Sequence, residues 1–152
     1  MNQKDVRIFA CLRQNGRMPI SKLSKQTGMP VSTIFDHLRT NPVIQRHVTL
    51  LDFQSLGFST KAIVLLRANK NKQELYKYLS AHFNINNLCK ITNGYDYCFE
   101  CVFKNMSELE KFLDTLEERF ELKSKNVHYI INEIKREAFL SDPNTCELIL
   151  NA

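Results

Sequence analysis

The segment from Ile20 to Thr40, ISKLSKQTGMPVSTIFDHLRT, predicts two short helices joined by a tight turn at Thr27-Gly28-Met29-Pro30. The glycine can adopt a positive φ without strain, and the proline disfavours helical geometry at the residue before it. Apolar residues recur at three- and four-residue steps in both helices, so each helix has an inner face. In the second helix the predicted inner residues are Val31, Ile34, Phe35 and Leu38. This pattern is typical of a helix-turn-helix, whose second helix enters a DNA major groove, although a helical hairpin that only packs remains the alternative.

The positive charge of the chain is concentrated around this segment. Residues 1–56 contain eight basic and three acidic residues, so they carry the entire formal net charge of +5. Such a distribution indicates contact with a polyanion. One acid, Asp36, lies in the predicted reading helix, where it would repel phosphate or face a cytosine amino group. We expect DNA contacts from Arg17, Lys22, Lys25, Ser32, Thr33, His37, Arg39 and Arg46.

Two modules are predicted from this charge step. A first helix over Asp5 to Gln14 completes a three-helix head, and two extended pieces, Val43-Ile44 and His47 to Leu51, suggest a wing and a linker. The predicted boundaries are a head at residues 1–52, a body at residues 53–140 and a C-terminal extension at residues 141–152. In that extension Cys146, Leu148, Ile149 and Leu150 indicate a tail that packs on the protein.

The body predicts the order strand, helix, strand, strand, helix, strand. Asn93-Gly94 favours a tight hairpin turn because both positions tolerate positive φ. Capping boxes are expected at Asn71 with Glu74, and at Ser107 to Glu110. The predicted strands are Lys61 to Ala68, Asn87 to Thr92, Tyr95 to Phe103 and Val127 to Phe139, with helices from Asn71 to Phe83 and from Ser107 to about Phe120. The fold class is therefore α+β, a winged helix-turn-helix joined to a ferredoxin-like βαββαβ domain.

One face of such a sheet lacks helices, and we expect aromatic and aliphatic side chains to line it. An apolar face of this size needs a cover, and a second copy of the chain is the simplest one. Dimerisation would also pair two reading helices on a pseudo-palindromic site. The expected partners are double-stranded promoter DNA and a second copy of the chain.

The five cysteines form an odd set without a disulfide framework, which fits a reducing compartment. Cys98 and Cys101 form a CxxC, but a strand places positions three apart on opposite faces, which prevents joint metal ligation. We therefore expect no metal, no cofactor and no catalytic residues. The charged N-terminal residues and short aliphatic runs predict a soluble cytoplasmic protein without a membrane partner.

Several stretches together resemble a known family. The helix-turn-helix near GRMPISKLSKQTGMPVSTIFDHL, the linker HVTLLDFQSLGF and a body carrying ITNGYDY and NVHYIINEIK are similar to the Lrp/AsnC family of feast/famine regulators. The resemblance covers residues 4 to about 140. It implies a homodimer built through the ferredoxin-like (RAM-type) domains, often assembled into tetramers or octamers. It also implies binding of promoter DNA and of a small amino-acid effector.

The resemblance also suggests effector-binding positions. The family hairpin commonly reads threonine, glycine, two residues, aspartate, whereas here Asn93 stands where the glycine is usual and the glycine follows it. The residues that match effector positions are Thr92, Gly94, Asp96, Tyr129, Ile130 and Ile131. Physically, a carboxylate at a hairpin tip can hold an α-amino group while loop amides receive the α-carboxylate. The alternative for Asp96 is a carboxylate that stabilises the turn.

Two other functions stay open from the sequence alone. The same two-module shape resembles the siroheme decarboxylases, which use histidine and basic residues around a tetrapyrrole. The histidines of this chain, His37, His47, His82 and His128, show no metal-ligand spacing on one element. A weakly basic reading helix would also fit an amino-acid sensor that does not bind DNA.

Overall fold

The computed structural model describes residues 3–146, which divide into two compact units. The helical unit consists of residues 3–50 and 134–146, and the sheet unit of residues 51–133. Residues 134–140, which we assigned to the body from the sequence, therefore belong by contact to the helical unit. No helix within the described range is long and apolar enough to cross a membrane.

Three helices build the helical unit, as predicted: α1 (Gln3–Gln14), α2 (Ile20–Thr27) and α3 (Val31–Thr40). Ile8 of α1, Leu23 of α2 and Ile34 of α3 are all fully buried and pack into one cluster. Leucine- and isoleucine-sized side chains contribute about 1.5–3 kcal/mol each when they are fully buried. This small cluster therefore holds the three helices together.

The C-terminal extension packs on this unit. Cys146 is fully buried against Val6 and Ala10 of α1. The guanidinium of Arg13 donates hydrogen bonds to the carboxylate and the backbone oxygen of Glu137 at 2.9 and 3.0 Å. The predicted packing of the tail is thus confirmed at Cys146, while the other three apolar tail residues that suggested it, Leu148, Ile149 and Leu150, lie outside the described residues.

The predicted wing is wrong in its secondary structure. The described segment from 41 to 59 contains no strand, and Val43, Val48 and Leu50 are exposed. Extended conformation is stable as a strand only where a neighbour pairs with it, and short apolar pieces do not show whether such a neighbour exists.

The sheet unit has the predicted βαββαβ order. Its elements are β1 (Thr60–Ala68), α4 (Lys72–Ala81), β2 (Ile85–Lys90), β3 (Tyr97–Phe103), α5 (Met106–Arg119) and β4 (Leu122–Tyr129). The strands lie in the order β2-β3-β1-β4, and every neighbouring pair is antiparallel. The ferredoxin-like class is therefore confirmed. At the tip between β2 and β3, Asn93 and Gly94 adopt φ of 65° and 94°, as the turn signal predicted.

Contrary to our expectation, the helix-free face of the sheet is not lined by aromatic side chains. The aromatic side chains of β3 point towards α4 and α5, where Phe99 packs with Leu79 and Leu113 in the main core. By strand alternation the helix-free face presents Lys61, Ile63, Leu65, Arg67, Cys98, Glu100, Asn126 and His128. These residues are therefore polar or aliphatic, with no aromatic ones apart from His128, because the tyrosine and phenylalanine rings of β3 are buried in the core on the other face.

The last strand and both capping boxes also differ. β4 lies over Leu122–Tyr129 instead of residues 127–139, because its partner β1 begins at Thr60 and offers nothing to pair with further on. Ile131 is 99% exposed as a result. The side chain of Asn105, and not Ser107, caps α5 by accepting from the Glu108 amide at 3.0 Å. Asn71 precedes α4 in the left-handed region and makes no side-chain cap.

Candidate nucleic-acid interface and hairpin site

The turn between α2 and α3 is closed by local hydrogen bonds. Gly28 adopts φ 68°, and its amide donates to the Ser24 carbonyl at 2.9 Å. The Ser24 hydroxyl donates to the carbonyl of Met29 at 2.6 Å, and Pro30 then precedes the first residue of α3. A positive φ costs little only at glycine, so this turn fixes where α3 begins.

The inner face of α3 is narrower than predicted. Ile34 is fully buried and Leu38 is half-buried against the same cluster. Val31 and Phe35, which we expected to point inward, are 50% and 52% exposed. The outer face of α3 therefore consists of Val31, Ser32, Phe35, Asp36 and Arg39. Its apolar members were missed because an i, i+4 apolar pair has the same spacing whether it faces a core or solvent.

The hydroxyls at the start of α3 do not cap the helix. The N-cap position is Pro30, and no side chain there accepts a hydrogen bond from the helix. Ser32 is exposed and Thr33 is half-buried. The Ser32 hydroxyl is therefore placed where it can meet a ligand of the outer face.

Four of the predicted cationic contacts surround α3 in sequence and are exposed. They are Arg17 in the first loop, Lys22 and Lys25 on α2, and Arg46 after α3. None of them forms an ion pair with the residues that the structure describes, in contrast to Arg13, which is paired with Glu137. Unpaired cations on the unit that carries the whole net charge attract phosphate.

His37, a predicted DNA contact, points towards α1 in the structure. Its Nδ1 lies 3.1 Å from Oδ1 of Asp5, and both side chains are at least two-thirds buried. The contact does not meet hydrogen-bond geometry, so Oδ1 of Asp5 is buried without a hydrogen-bond partner in the described structure. The arrangement makes His37 a residue that positions α3 on α1. Asp5 was not singled out from the sequence, and no short-range pattern links residues 32 positions apart.

Asp96, at the base of the hairpin, is engaged within its own chain. One carboxylate oxygen accepts from the Ala68 amide at 3.0 Å, and the other accepts from Lys72 Nζ at 2.6 Å. Burial alone would raise the pKa of Asp96, but the hydrogen bonds from Lys72 and Ala68 and the charges of Lys72 and Arg67 outweigh it and lower the pKa. The carboxylate thus ties β3 to the end of β1 and the start of α4.

The predicted effector residues form two separate groups within one chain. Thr92, Gly94 and Asp96 lie at the hairpin end, where Asp96 contacts Leu66 and Ala68 of β1. Tyr129 pairs with Ala62 near the other end of β1, and the Ile130 amide donates to the Lys61 carbonyl at 2.8 Å. Six residues of strand separate these ends by about 20 Å.

Tyr129 has a partner on α5. Its hydroxyl donates to the Glu110 carboxylate, and this hydrogen bond, together with burial, raises the pKa of Tyr129. Ile130 is half-buried and Ile131 is exposed. Within one chain, these residues do not enclose a site with the hairpin.

The cysteines lie as strand alternation predicted. Cys101 is buried in the core, where burial raises its pKa to about 12, whereas Cys98 lies on the opposite face beside Cys89 of β2. In the described part of the chain, no three histidine, cysteine or acidic side chains form a group that could hold a metal.

The histidines considered for tetrapyrrole chemistry are dispersed. His82 packs against Phe112 with ring centroids 4.5 Å apart, and burial lowers its pKa. His47 and His128 are exposed.

Comparison with known proteins agrees with this geometry. Residues 1–40 match a winged helix-turn-helix DNA-binding family. The chain is 30% identical over 120 residues to the HTH-type transcriptional regulator FL11 of Pyrococcus horikoshii, covering 76% of this chain and 80% of that protein.

Solved structures show the same fold. A transcriptional regulator of Neisseria meningitidis, solved with L-Met, matches with a TM-score of 0.82 at 20% identity over 90% of this chain and 93% of that chain. LrpC of Bacillus subtilis matches with a TM-score of 0.79 at 18% identity, covering 89% and 97%. The fold, the helix-turn-helix match and the relative FL11 define a DNA-binding transcriptional regulator of the helix-turn-helix type. The chain belongs to the Lrp/AsnC family.

The contact between His37 and Asp5 predicts a stability effect. His37→Ala removes the side chain that lies nearest to the buried Oδ1 of Asp5, so the free energy of unfolding should fall by about 1–3 kcal/mol. Urea denaturation followed by helical circular dichroism measures it. Arg39→Ala, an exposed change on the same helix, is the matched control and should cost less than about 0.5 kcal/mol. Equal losses in both variants would contradict the positioning role.

The lowered pKa of Asp96 predicts a pH-dependent contribution. Because its folded-state pKa lies below the unfolded value, the stabilisation is present above the unfolded pKa and is lost as pH falls through the folded pKa. Asp96→Asn should therefore be less stable than wild type at neutral pH, and the two should converge in acid. Asp114→Asn, an exposed carboxylate on α5, should show no such difference. A stability difference for Asp96→Asn that persists unchanged in acid would argue against the charged contacts.

Proposed function

We propose that the chain regulates transcription as a homodimer that inserts the outer face of α3 into successive major grooves of promoter DNA. The observation that carries this proposal is the exposed outer face of α3 on a unit that bears unpaired cations. Its inner face is held by Ile34, so the helix is presented rigidly. Recognition helices of this type contact base edges through their N-terminal residues.

Phosphate contacts supply most of the affinity in this proposal. Arg17, Lys22, Lys25 and Arg46 neutralise the DNA backbone, while Ser32, Thr33 and Arg39 contribute contacts from α3 itself. His37 supports α3 from behind. If a dimer neutralises about six phosphates, the logarithm of the binding constant falls with the logarithm of salt concentration with a slope of about −5.

The helix-free face of the sheet is the proposed dimer surface. Ile63 and Leu65 lie at its centre, and Lys61 forms ion pairs with Glu100 and Glu133 at 3.1 Å beside them. A mixed surface with an apolar centre and a charged edge resembles protein interfaces in composition. Two copies joined here would present two reading helices to one pseudo-palindromic site, and larger assemblies, tetramers or octamers, would extend the pairing.

A small amino-acid effector is proposed to modulate the assembly. The solved regulator from Neisseria meningitidis was crystallised with L-Met, which supports this class of ligand. In this chain the loop amides at Thr92 and Gly94 would receive an α-carboxylate, and Asp96 would exchange Lys72 for the α-amino group. Because Tyr129, Ile130 and Ile131 lie about 20 Å away along the strand, they would join such a site only from another copy.

The chain is proposed to act without catalysis, through binding alone, and in the cytoplasm, where promoter DNA is found. The relatives named above are transcriptional regulators, and none of the observed geometry favours the tetrapyrrole enzyme or a sensor without DNA binding.

Neutralising two cations on α2 tests DNA binding. Lys22→Gln combined with Lys25→Gln removes four charges per dimer, so the slope of log binding constant against log salt should flatten by up to about 4. Electrophoretic mobility shifts at several salt concentrations measure it. Lys77→Gln on α4 is the matched control, since it is an exposed lysine of the sheet unit. An unchanged slope in the double variant would show that α2 does not face DNA.

Amino-acid response tests the effector proposal. Each common amino acid is added to the purified chain, and both light-scattering mass and DNA affinity are measured. At least one should shift both, and Asp96→Asn should abolish the shift because the α-amino group loses its carboxylate partner. Asp114→Asn should respond like wild type. A full response in Asp96→Asn would return Asp96 to a purely structural role.

A further inference from the structure

The outer face of α3 is apolar and acidic at the end where a reading helix meets bases. Val31 and Phe35 are half-exposed one helical turn apart, and Ser32 and Asp36 lie beside them. Of the outer residues, Arg39 alone is basic, and it stands in the last turn of α3. The four cations proposed to hold phosphate lie outside this face, on the first loop, α2 and the segment after α3.

We propose that this face reads the thymine methyl group and the cytosine amino group in the major groove, an inference that rests on the proposed DNA binding. Phe35, with Val31 beside it, contacts the C5-methyl group of thymine, and Asp36 accepts a hydrogen bond from cytosine N4. The preferred half-site therefore contains both bases at fixed positions opposite the first turns of α3.

The chemistry of the groove supports these pairings. Thymine is the base that presents an apolar group there, and cytosine presents an amino donor without an acceptor beside it. A phenyl ring offers no hydrogen bond to the remaining edge groups. A carboxylate would face acceptor oxygens or nitrogens on guanine and on thymine, which repel it, whereas cytosine N4 donates to it.

The positive charge of the helical unit indicates that DNA, and not a protein, covers Val31 and Phe35. Residues 1–56 carry the whole net charge of +5, and Arg17, Lys22, Lys25 and Arg46 remain exposed and unpaired among the described residues. A protein surface that covered Phe35 would bring the same cations into contact with ordinary side chains, whereas DNA supplies phosphates for them. A DNA duplex accounts for both the exposed apolar pair and the unpaired cations.

Replacing thymine by deoxyuridine tests the methyl contact. Starting from a duplex selected by the full chain, each thymine is replaced in turn, which removes one methyl group and leaves base pairing intact. Wild type should bind about fourfold more weakly at one or two positions per half-site, the loss expected for one buried methyl group. Phe35→Ala should bind the parent duplex more weakly and should no longer distinguish deoxyuridine from thymine at those positions. Phe83→Ala, a 91% exposed phenylalanine of the sheet unit, should keep the distinction.

Asp36→Asn tests the second contact. The amide has no charge to repel phosphate and can pair with adenine through N6 and N7, so overall affinity should rise and preference should move from cytosine to adenine at one position. Circular dichroism of each variant confirms folding, since both side chains are exposed.

The outcomes separate the inference from the proposed function. Wild type that binds its selected duplex but ignores every thymine replacement overturns the methyl contact and leaves DNA binding intact. Phe35→Ala that still senses the same replacements also overturns it. Failure of wild type to select or bind any duplex at low salt overturns both.

Discussion

The burial of Ile34 against Leu23 and Ile8 determines the geometry of the candidate DNA interface. This contact fixes the rotation of α3 on α1 and α2, so it decides which residues are turned outward. The closed turn at Gly28 fixes where α3 starts, and the contact between His37 and Asp5 fixes its other side. The outer face is therefore a consequence of packing and not of its own composition. A helix that is already held rigidly loses little entropy when it enters a groove. The small core of the helical unit is therefore sufficient to present α3 for reading DNA.

The sheet unit supplies a second, independent frame. β1 and β3 form its centre. The aromatic rings of β3 are buried in the core beneath α4 and α5, so the helix-free face carries both polar and aliphatic side chains. Asp96 joins the hairpin to β1 and α4, so any ligand that engages this carboxylate must compete with Lys72. Under the proposed effector binding, such competition would couple the occupancy of the hairpin to the geometry of the sheet end.

Local signals in the sequence predicted more than long-range ones. Gly28 with Pro30, and Asn93 with Gly94, mark turns whose backbone demands are met by the residues themselves, and both lie where expected. Strand ends depend on partners, so β4 stops at Tyr129 although the apolar pattern continues to Phe139. The pairing of His37 with Asp5 joins distant positions and has no sequence signature. Phe35 shows a further limit, because an apolar residue looks the same whether it meets a core or a thymine.

Selection of bound duplexes from random double-stranded DNA shows whether the outer face of α3 reads sequence in paired copies. The full chain is used at low salt, and the recovered pool is compared with the starting pool. We expect enrichment of one motif with two-fold symmetry and half-sites one helical turn, or a multiple of it, apart. A recovered pool without any enriched sequence would contradict it.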